Sequence, residues 1–191
     1  MAPVIDLSDL DEQALRRRLP MTAVFGLKAG PEFDWPRLWL LQHRELARQA
    51  PLRIAGHITG GVLAIAMFWD ILPIAVAVTW FAWLAGALFI YTQRDGEIRR
   101  MQRPSLTRKE AFSHILGSIL LGIGWAALLP VLWVFGGADA AVHGWALIAG
   151  IGIGVAMLMG VVPFSALVFF ALLGVGAIAT FVLSGRFVMA A

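Results

Sequence analysis

The feature that most constrains this chain is a set of apolar runs, each about twenty residues long and almost free of charge. The stretch from residue 111 to residue 184 contains only one charged side chain, that of Asp139. A soluble helix needs a polar face along its length, and these runs have none. About twenty apolar residues match the hydrocarbon core of a bilayer, which is roughly 30 Å thick. The sequence therefore predicts an all-α, polytopic membrane helix bundle.

Most charged residues lie outside these runs. Residues 1–51 hold 14 of the 27 formal charges, and residues 93–110 hold nine more. The apolar runs between them predict a bundle over 51–191 with five transmembrane helices, at about 52–69, 71–92, 111–135, 141–159 and 162–184. Residues 187–191 are apolar again, which we interpret as the first turn of a truncated sixth helix.

The basic residues predict the orientation of the bundle. Eight of the fifteen Lys and Arg residues lie at or before Arg53, and six lie within 93–110. With alternating spans these fourteen residues fall on one side, which the positive-inside rule assigns to the cytoplasm. We therefore expect a cytoplasmic N-terminus and an exterior Arg186.

Residues 1–50 are predicted to form a cytoplasmic and membrane-surface segment. Ser and Asp residues followed by a basic run indicate a short helix over 9–19. Pro and Gly residues over 20–34 indicate a loop. Asp34 is a suitable N-cap for a second helix, because its carboxylate can accept a hydrogen bond from a free backbone N–H group.

This second helix has two contrasting faces. Trp35 and Trp39 lie on one face, and Arg44 and Arg48 lie on another. Such a helix suits the membrane surface, where Trp sits at headgroup depth and Arg meets anionic lipid. The alternative, which we weigh equally, is an amphipathic helix packed on its neighbours, such as the charged loop predicted over 93–110.

Small residues recur along two of the predicted spans. Gly56 and Gly60 are four residues apart in the first span, and Gly150 and Gly154 are four apart in the fourth. Small faces allow helix backbones to approach closely in lipid. They predict helix packing, either within one bundle, which is the commoner use, or across a homodimer.

His57 and His114 are the candidates for cofactor ligation. Each begins a predicted span near the same side of the membrane, so two imidazoles at matched depth could ligate haem or a metal. The alternative, which we favour, is that each lies near a span end and faces headgroups or bonds a backbone carbonyl. We expect His114 to face the headgroups, and we predict no cofactor.

Catalytic patterns are missing from the sequence. The chain has no cysteine, and its predicted spans contain no carboxylate apart from the edge residue Asp70. It also lacks a phosphate-binding loop, a zinc motif and a serine triad. We therefore predict a protein that is not an enzyme, that binds no nucleic acid, and whose partners are the bilayer and a second copy or other membrane subunits.

The second half of the chain resembles a known class of membrane region. Gly122 and Trp125, the Gly150–Gly154 run, and Pro163 with Phe164 are similar to the N-terminal membrane region of bacterial GGDEF/EAL (cyclic-di-GMP) proteins and sensor histidine kinases. The chain departs from that pattern at Ala126, where a second glycine is usual. The resemblance implies a sensory or dimer-positioning role in a bacterial inner membrane, a sixth helix and a cytoplasmic output domain.

The expected function is therefore that of a signal-input module in a bacterial signalling protein. Two alternatives remain open. One is a structural or accessory subunit of a larger membrane complex, in which small residues and aromatics pack on partners. The other is a small transporter, although the sequence lacks the polar lining that a transport path requires.

Overall fold

The structure, a computed structural model, describes residues 34–184, which lie within one compact unit. These residues form five helices and no strand: α1 (Trp35–Arg48), α2 (Ala50–Met67), α3 (Ile74–Arg100), α4 (Arg108–Met159) and α5 (Pro163–Leu183). The predicted helix over 9–19, most of the loop over 20–34, Arg186 and the start of a sixth helix at 187–191 lie outside the described residues.

Local sequence explains where the helices begin. The Asp34 carboxylate accepts a hydrogen bond from the backbone N–H of Arg37 at 3.2 Å, which confirms Asp34 as the N-cap of α1. At the start of α4, Thr107 and Glu110 each bond the other's backbone in a capping box. These bonds to Thr107 lower the pKa of Glu110 to about 2. Pro163 begins α5, where its missing N–H group leaves no helical hydrogen bond unmade.

Four of the described helices, α2 to α5, are long and apolar enough to cross a bilayer. Their outward faces carry large apolar side chains, with Met157 80%, Val134 68% and Ile153 66% exposed. Soluble monomers rarely expose apolar surface on this scale. The all-helical architecture and the apolar character predicted from the sequence are therefore present in the structure.

The prediction of five separate spans is not matched, because two of them lie in one helix. The predicted spans 111–135 and 141–159 both fall within α4, which is 52 residues long. Gly137, inside α4, has φ 70° and ψ −160°, a conformation that is essentially restricted to glycine. We call the segments on either side α4a (108–136) and α4b (138–159).

The two segments of α4 pack against each other. A Cβ atom on Gly144 in α4b would overlap the side chain of Leu132 in α4a. Twelve residues along a straight helix would separate these positions by about 18 Å. The chain therefore reverses direction at Gly137.

The charged segment 93–110 is mostly helical, so its interpretation as a loop is wrong. Helix α3 continues to Arg100, and only residues 101–107 connect it to α4. The reason is that the buried stripe of α3 continues past the apolar run, through Tyr91, Asp95 and Ile98. These residues keep the helical spacing of three to four that one buried face requires.

Aromatic residues hold α3 against α4a. The indole Nε1 of Trp80 donates to the carbonyl oxygen of Gly124 at 2.7 Å. The indole Nε1 of Trp83 donates to the carbonyl oxygen of Leu120 at 2.9 Å. Trp125 is fully buried, with its ring 5.3 Å from that of Trp80. A buried indole N–H needs an acceptor, and the carbonyl oxygen of Gly124 supplies it for Trp80.

Helices α4a and α5 approach each other closely at Gly176. A Cβ atom on Gly176 would lie 2.6 Å from the carbonyl oxygen of Ala126. Pro130, four residues after Ala126, has no N–H group to bond that oxygen. Glycine at position 176 therefore lets one backbone pass directly over the other.

We predict that Gly176→Ala destabilises the bundle by about 1–3 kcal/mol, because the added methyl group meets rigid backbone. Gly174→Ala is the matched control on the same helix, since a Cβ there meets nothing within 4 Å. Tryptophan fluorescence during SDS titration of detergent-solubilised protein measures both. Equal losses of stability in the two variants would contradict the close approach.

Candidate functional site

A buried ion pair joins α2 and α3 at the end of the bundle where α2 begins and α3 ends. Arg53 Nη2 donates to Asp95 Oδ2, and the two side chains are 1% and 0% exposed. Charged side chains are almost never fully buried unless they are paired. The pair is therefore the strongest sign of a specific site in the described residues.

The second oxygen of Asp95 bonds a histidine on α4a. His114 Nε2 lies 2.8 Å from Asp95 Oδ1, and its side chain is 1% exposed. Because an ionised carboxylate only accepts hydrogen bonds, Nε2 must be the donor. Asp95 thus connects α2, α3 and α4a through a single carboxylate.

Tyr91 closes one side of this cluster. The Arg53 guanidinium lies 4.1 Å from the centroid of the Tyr91 ring, a cation–π contact. The Tyr91 hydroxyl is 3.1 Å from Ser118 Oγ, and its ring centroid is 4.7 Å from that of His114. The ring lies directly on α4a at Gly117, where any Cβ would overlap it.

Helix α1 also contributes to the cluster. Arg53 Nη1 donates to the carbonyl oxygen of Leu46, in the last turn of α1, at 3.4 Å. The His43 ring packs edge-on against that of His114, with centroids 5.0 Å apart. His43 Nδ1 donates to the Trp39 carbonyl oxygen at 2.8 Å. Burial first, and then the neighbouring His114, lower the pKa of His43 to about 4.

His57 lies in a separate environment. Trp125 Nε1 donates to His57 Nδ1 at 3.0 Å, and the ring of Phe169 packs edge-on at 6.2 Å. The neighbours of His114 are instead His43 and Tyr91. The two candidate ligands therefore have different partners, and the described residues hold no group of three or more potential metal ligands.

The expectation that His114 faces the headgroups is wrong. Its side chain is buried and bonded to Asp95. The sequence argument failed because it counted turns from the end of the apolar run, whereas α3 and α4 both extend beyond that run.

The four residues predicted at the membrane surface lie in α1. Trp35 is 4% exposed, and Trp39 packs on the cluster formed by Leu40, Ile98, Leu106 and Ala111. Arg44 donates to the Met101 carbonyl oxygen at 2.7 Å, while Arg48 is exposed. These contacts place α1 against the α3–α4 connection, the packing that the second of the two interpretations expects.

The four glycines predicted to pack helices lie on α2 and α4b. Only Gly60 is in tight contact, with Ile151 and Trp125. A Cβ on Gly56, Gly150 or Gly154 would meet no heavy atom within 4 Å. These three glycines therefore line an open face in the single chain.

Sequence reasoning missed Arg53 and Asp95 as site residues. Asp95 was assigned to a charged loop and Arg53 to the edge of a span. One signal was available, because Asp95 is four residues after Tyr91 and three before Ile98, on the stripe that continues from Leu88. A lone carboxylate in phase with a buried stripe indicates a buried partner.

Comparison with known proteins supplies no relative. No protein-family model, curated protein or solved structure matches the chain. The functional argument therefore depends on the site.

We predict that Arg53→Leu and Asp95→Leu each destabilise the protein by about 3–5 kcal/mol, because each leaves a buried charge unpaired. The double variant should lose much less stability than the sum of the losses in the two single variants. The exposed pair Arg94–Glu97, at 2.9 Å, is the control, and each substitution there should cost less than about 1 kcal/mol. SDS-induced unfolding in micelles gives all values. Simple additivity in the buried pair would contradict this account.

Proposed function

We propose that the chain is the membrane-embedded signal-input and dimer-positioning module of a bacterial signalling protein with a cytoplasmic output domain. The supporting observation is the buried cluster of Arg53, Asp95 and His114, which ties α1 to three membrane helices. A site that joins several helices at one level can convert a shift of one helix into a shift of the others. This property suits a signal-input module.

The coupling has a physical basis. Arg53 bonds both Asp95 on α3 and the Leu46 carbonyl on α1. If α2 slides relative to α3, either the ion pair breaks, at a large desolvation cost, or α3 and α1 follow. Two discrete arrangements of these helices are therefore favoured over a continuous range of positions. We propose that the stimulus selects between such arrangements.

We also propose that the chain crosses the membrane five times, with its N-terminus in the cytoplasm of the bacterial inner membrane. The reversal at Gly137 supports two crossings by α4, because 52 residues of straight helix would extend about 78 Å, far more than a bilayer core of about 30 Å. The basic residues of α1 and of the start of α2 then lie on the same side of the membrane as those at the end of α3.

The accessory-subunit alternative has one observation in its favour. The open glycines at positions 56, 150 and 154 leave a face of α2 and α4b to which another membrane helix could be fitted. This face also suits a homodimer of the proposed input module. The two functions differ in whether an output domain is part of the same protein.

Single-cysteine labelling tests the topology, since the chain has no native cysteine. We expect Arg103→Cys to react only from the cytoplasm, and Asp70→Cys and Asp139→Cys only from outside; the predicted ends, positions 5 and 186, should react from opposite sides. A membrane-impermeant maleimide on intact cells and on inverted vesicles reports each position. Labelling of positions 103 and 139 from the same side would contradict five crossings.

The signalling proposal predicts that the reading frame continues into a sixth apolar span and a cytoplasmic output domain. In that complete protein, Asp95→Asn should change the output activity several-fold, because it unlinks α1 from α3, whereas the exposed control Arg94→Gln should leave it unchanged. Output activity in membranes, normalised to protein amount, is the measurement. A reading frame without an output domain would contradict the proposal and favour the accessory subunit.

A further inference from the structure

An open groove of about 720 Å³ runs between α2 and α4b. We call it the α2/α4b groove. Its rim carries the exposed glycines Gly56, Gly150 and Gly154, whose missing side chains keep it open. Its walls are apolar and include Leu52, Leu63, Leu147, Met157 and Leu158. The volume is within the range of small-molecule sites, and the walls suit a hydrocarbon body.

Two of the buried residues that line the groove are polar. Arg53 and His57 also line it, although their side chains are only 1% and 2% exposed. Because the glycines of the rim are exposed and these two residues are buried, Arg53 and His57 belong to its floor, together with the buried Gly60 and Val155. Arg53 and His57 are four residues apart on α2, so they lie one turn apart on the same face.

Both polar floor residues have a hydrogen-bond donor to spare. Trp125 Nε1–H donates to His57 Nδ1, so Nδ1 carries a lone pair and the ring proton lies on Nε2. His57 Nε2 and Arg53 Nε are buried and have no partner in the described part of the chain. Buried donors are nearly always paired, so both indicate an acceptor that completes the site.

The charge of the floor defines the acceptor. Asp95 already neutralises Arg53, and His57 is neutral because its Nδ1 accepts a hydrogen bond. An anion would therefore enter an apolar groove without a free cation to balance it. A neutral carbonyl oxygen satisfies both donors without that penalty.

We propose that the α2/α4b groove binds an apolar molecule with a hydrogen-bond-accepting carbonyl oxygen. The carbonyl group accepts from His57 Nε2 and Arg53 Nε, and the hydrocarbon lies along the glycine rim. Two membrane components carry this chemistry, a phospholipid with its ester carbonyls and an isoprenoid quinone with its ring carbonyls. Binding requires no output domain, so the inference goes beyond the signalling proposal.

A helix from a second copy would fill the groove less well. Glycine faces accept helices, but the backbone carbonyl groups of a helix lie behind its own side chains, which would reach the floor first. A backbone carbonyl of a helix would therefore reach the floor donors only beside a glycine, whereas the carbonyl of a small molecule reaches them directly. The two donors therefore favour a small molecule, and the second copy becomes an outcome of the test.

The test is native mass spectrometry of the full chain in detergent with added decylubiquinone or, separately, dioleoylphosphatidylcholine. Gly154→Leu places a side chain in the groove at a position where its Cβ meets no heavy atom within 4 Å, and His57→Phe removes one donor. The controls are Gly86→Leu, at an open glycine of α3, and His143→Phe, at an exposed histidine of α4b. We expect one bound molecule on the wild type and both controls, and about tenfold weaker binding in the two groove variants.

Each outcome decides the matter. Retention of decylubiquinone identifies a quinone site, and retention of the phospholipid alone identifies a lipid site; both support the proposal if Gly154→Leu weakens binding. The proposal is overturned if neither probe binds, or if Gly154→Leu binds as well as Gly86→Leu. A dimer of the chain that Gly154→Leu dissociates, with no small molecule bound, also overturns it. None of these results depends on output activity.

Discussion

The ion pair between Arg53 and Asp95 is the interaction on which the rest of the structure depends. Two charges are held where water does not reach, and each is acceptable only because the other is present. The remaining hydrogen-bonding capacity of the pair then recruits neighbours, namely His114 to the second carboxylate oxygen and the Leu46 carbonyl to the guanidinium. The positions of four helical segments are thereby linked to one another.

This link matters because membrane helices lack the force that assembles soluble bundles. Apolar side chains lose nothing by facing lipid, so helices associate through close packing and interhelical hydrogen bonds. The chain uses both. Gly176 brings α5 against the backbone of α4a at Ala126, and the indoles of Trp80 and Trp83 bond carbonyl groups of α4a. Packing brings the helices together, and the buried polar contacts select their register.

Arg53 belongs both to the buried cluster and to the floor of the α2/α4b groove. A molecule that bonds Arg53 from the groove would act on the same guanidinium that holds Asp95 and the last turn of α1. The proposed ligand and the proposed signal thus meet at one side chain. In this proposal a membrane component enters the groove at the glycine rim and reaches its floor without passing through water.

The sequence by itself determined the all-helical class, the approximate limits of the apolar helices and the Asp34 cap, because these depend on bilayer thickness and on bonds between residues close in the chain. The tertiary structure alone decided that Asp95 pairs with Arg53, that His114 bonds it, and that α1 packs on the α3–α4 connection. A charged residue beside an apolar run is predicted to be solvent-exposed as long as its partner is unknown. The partner of Asp95 is Arg53, which lies 42 residues away in the sequence. Pairing over that distance depends on how helices cross, which no local pattern specifies.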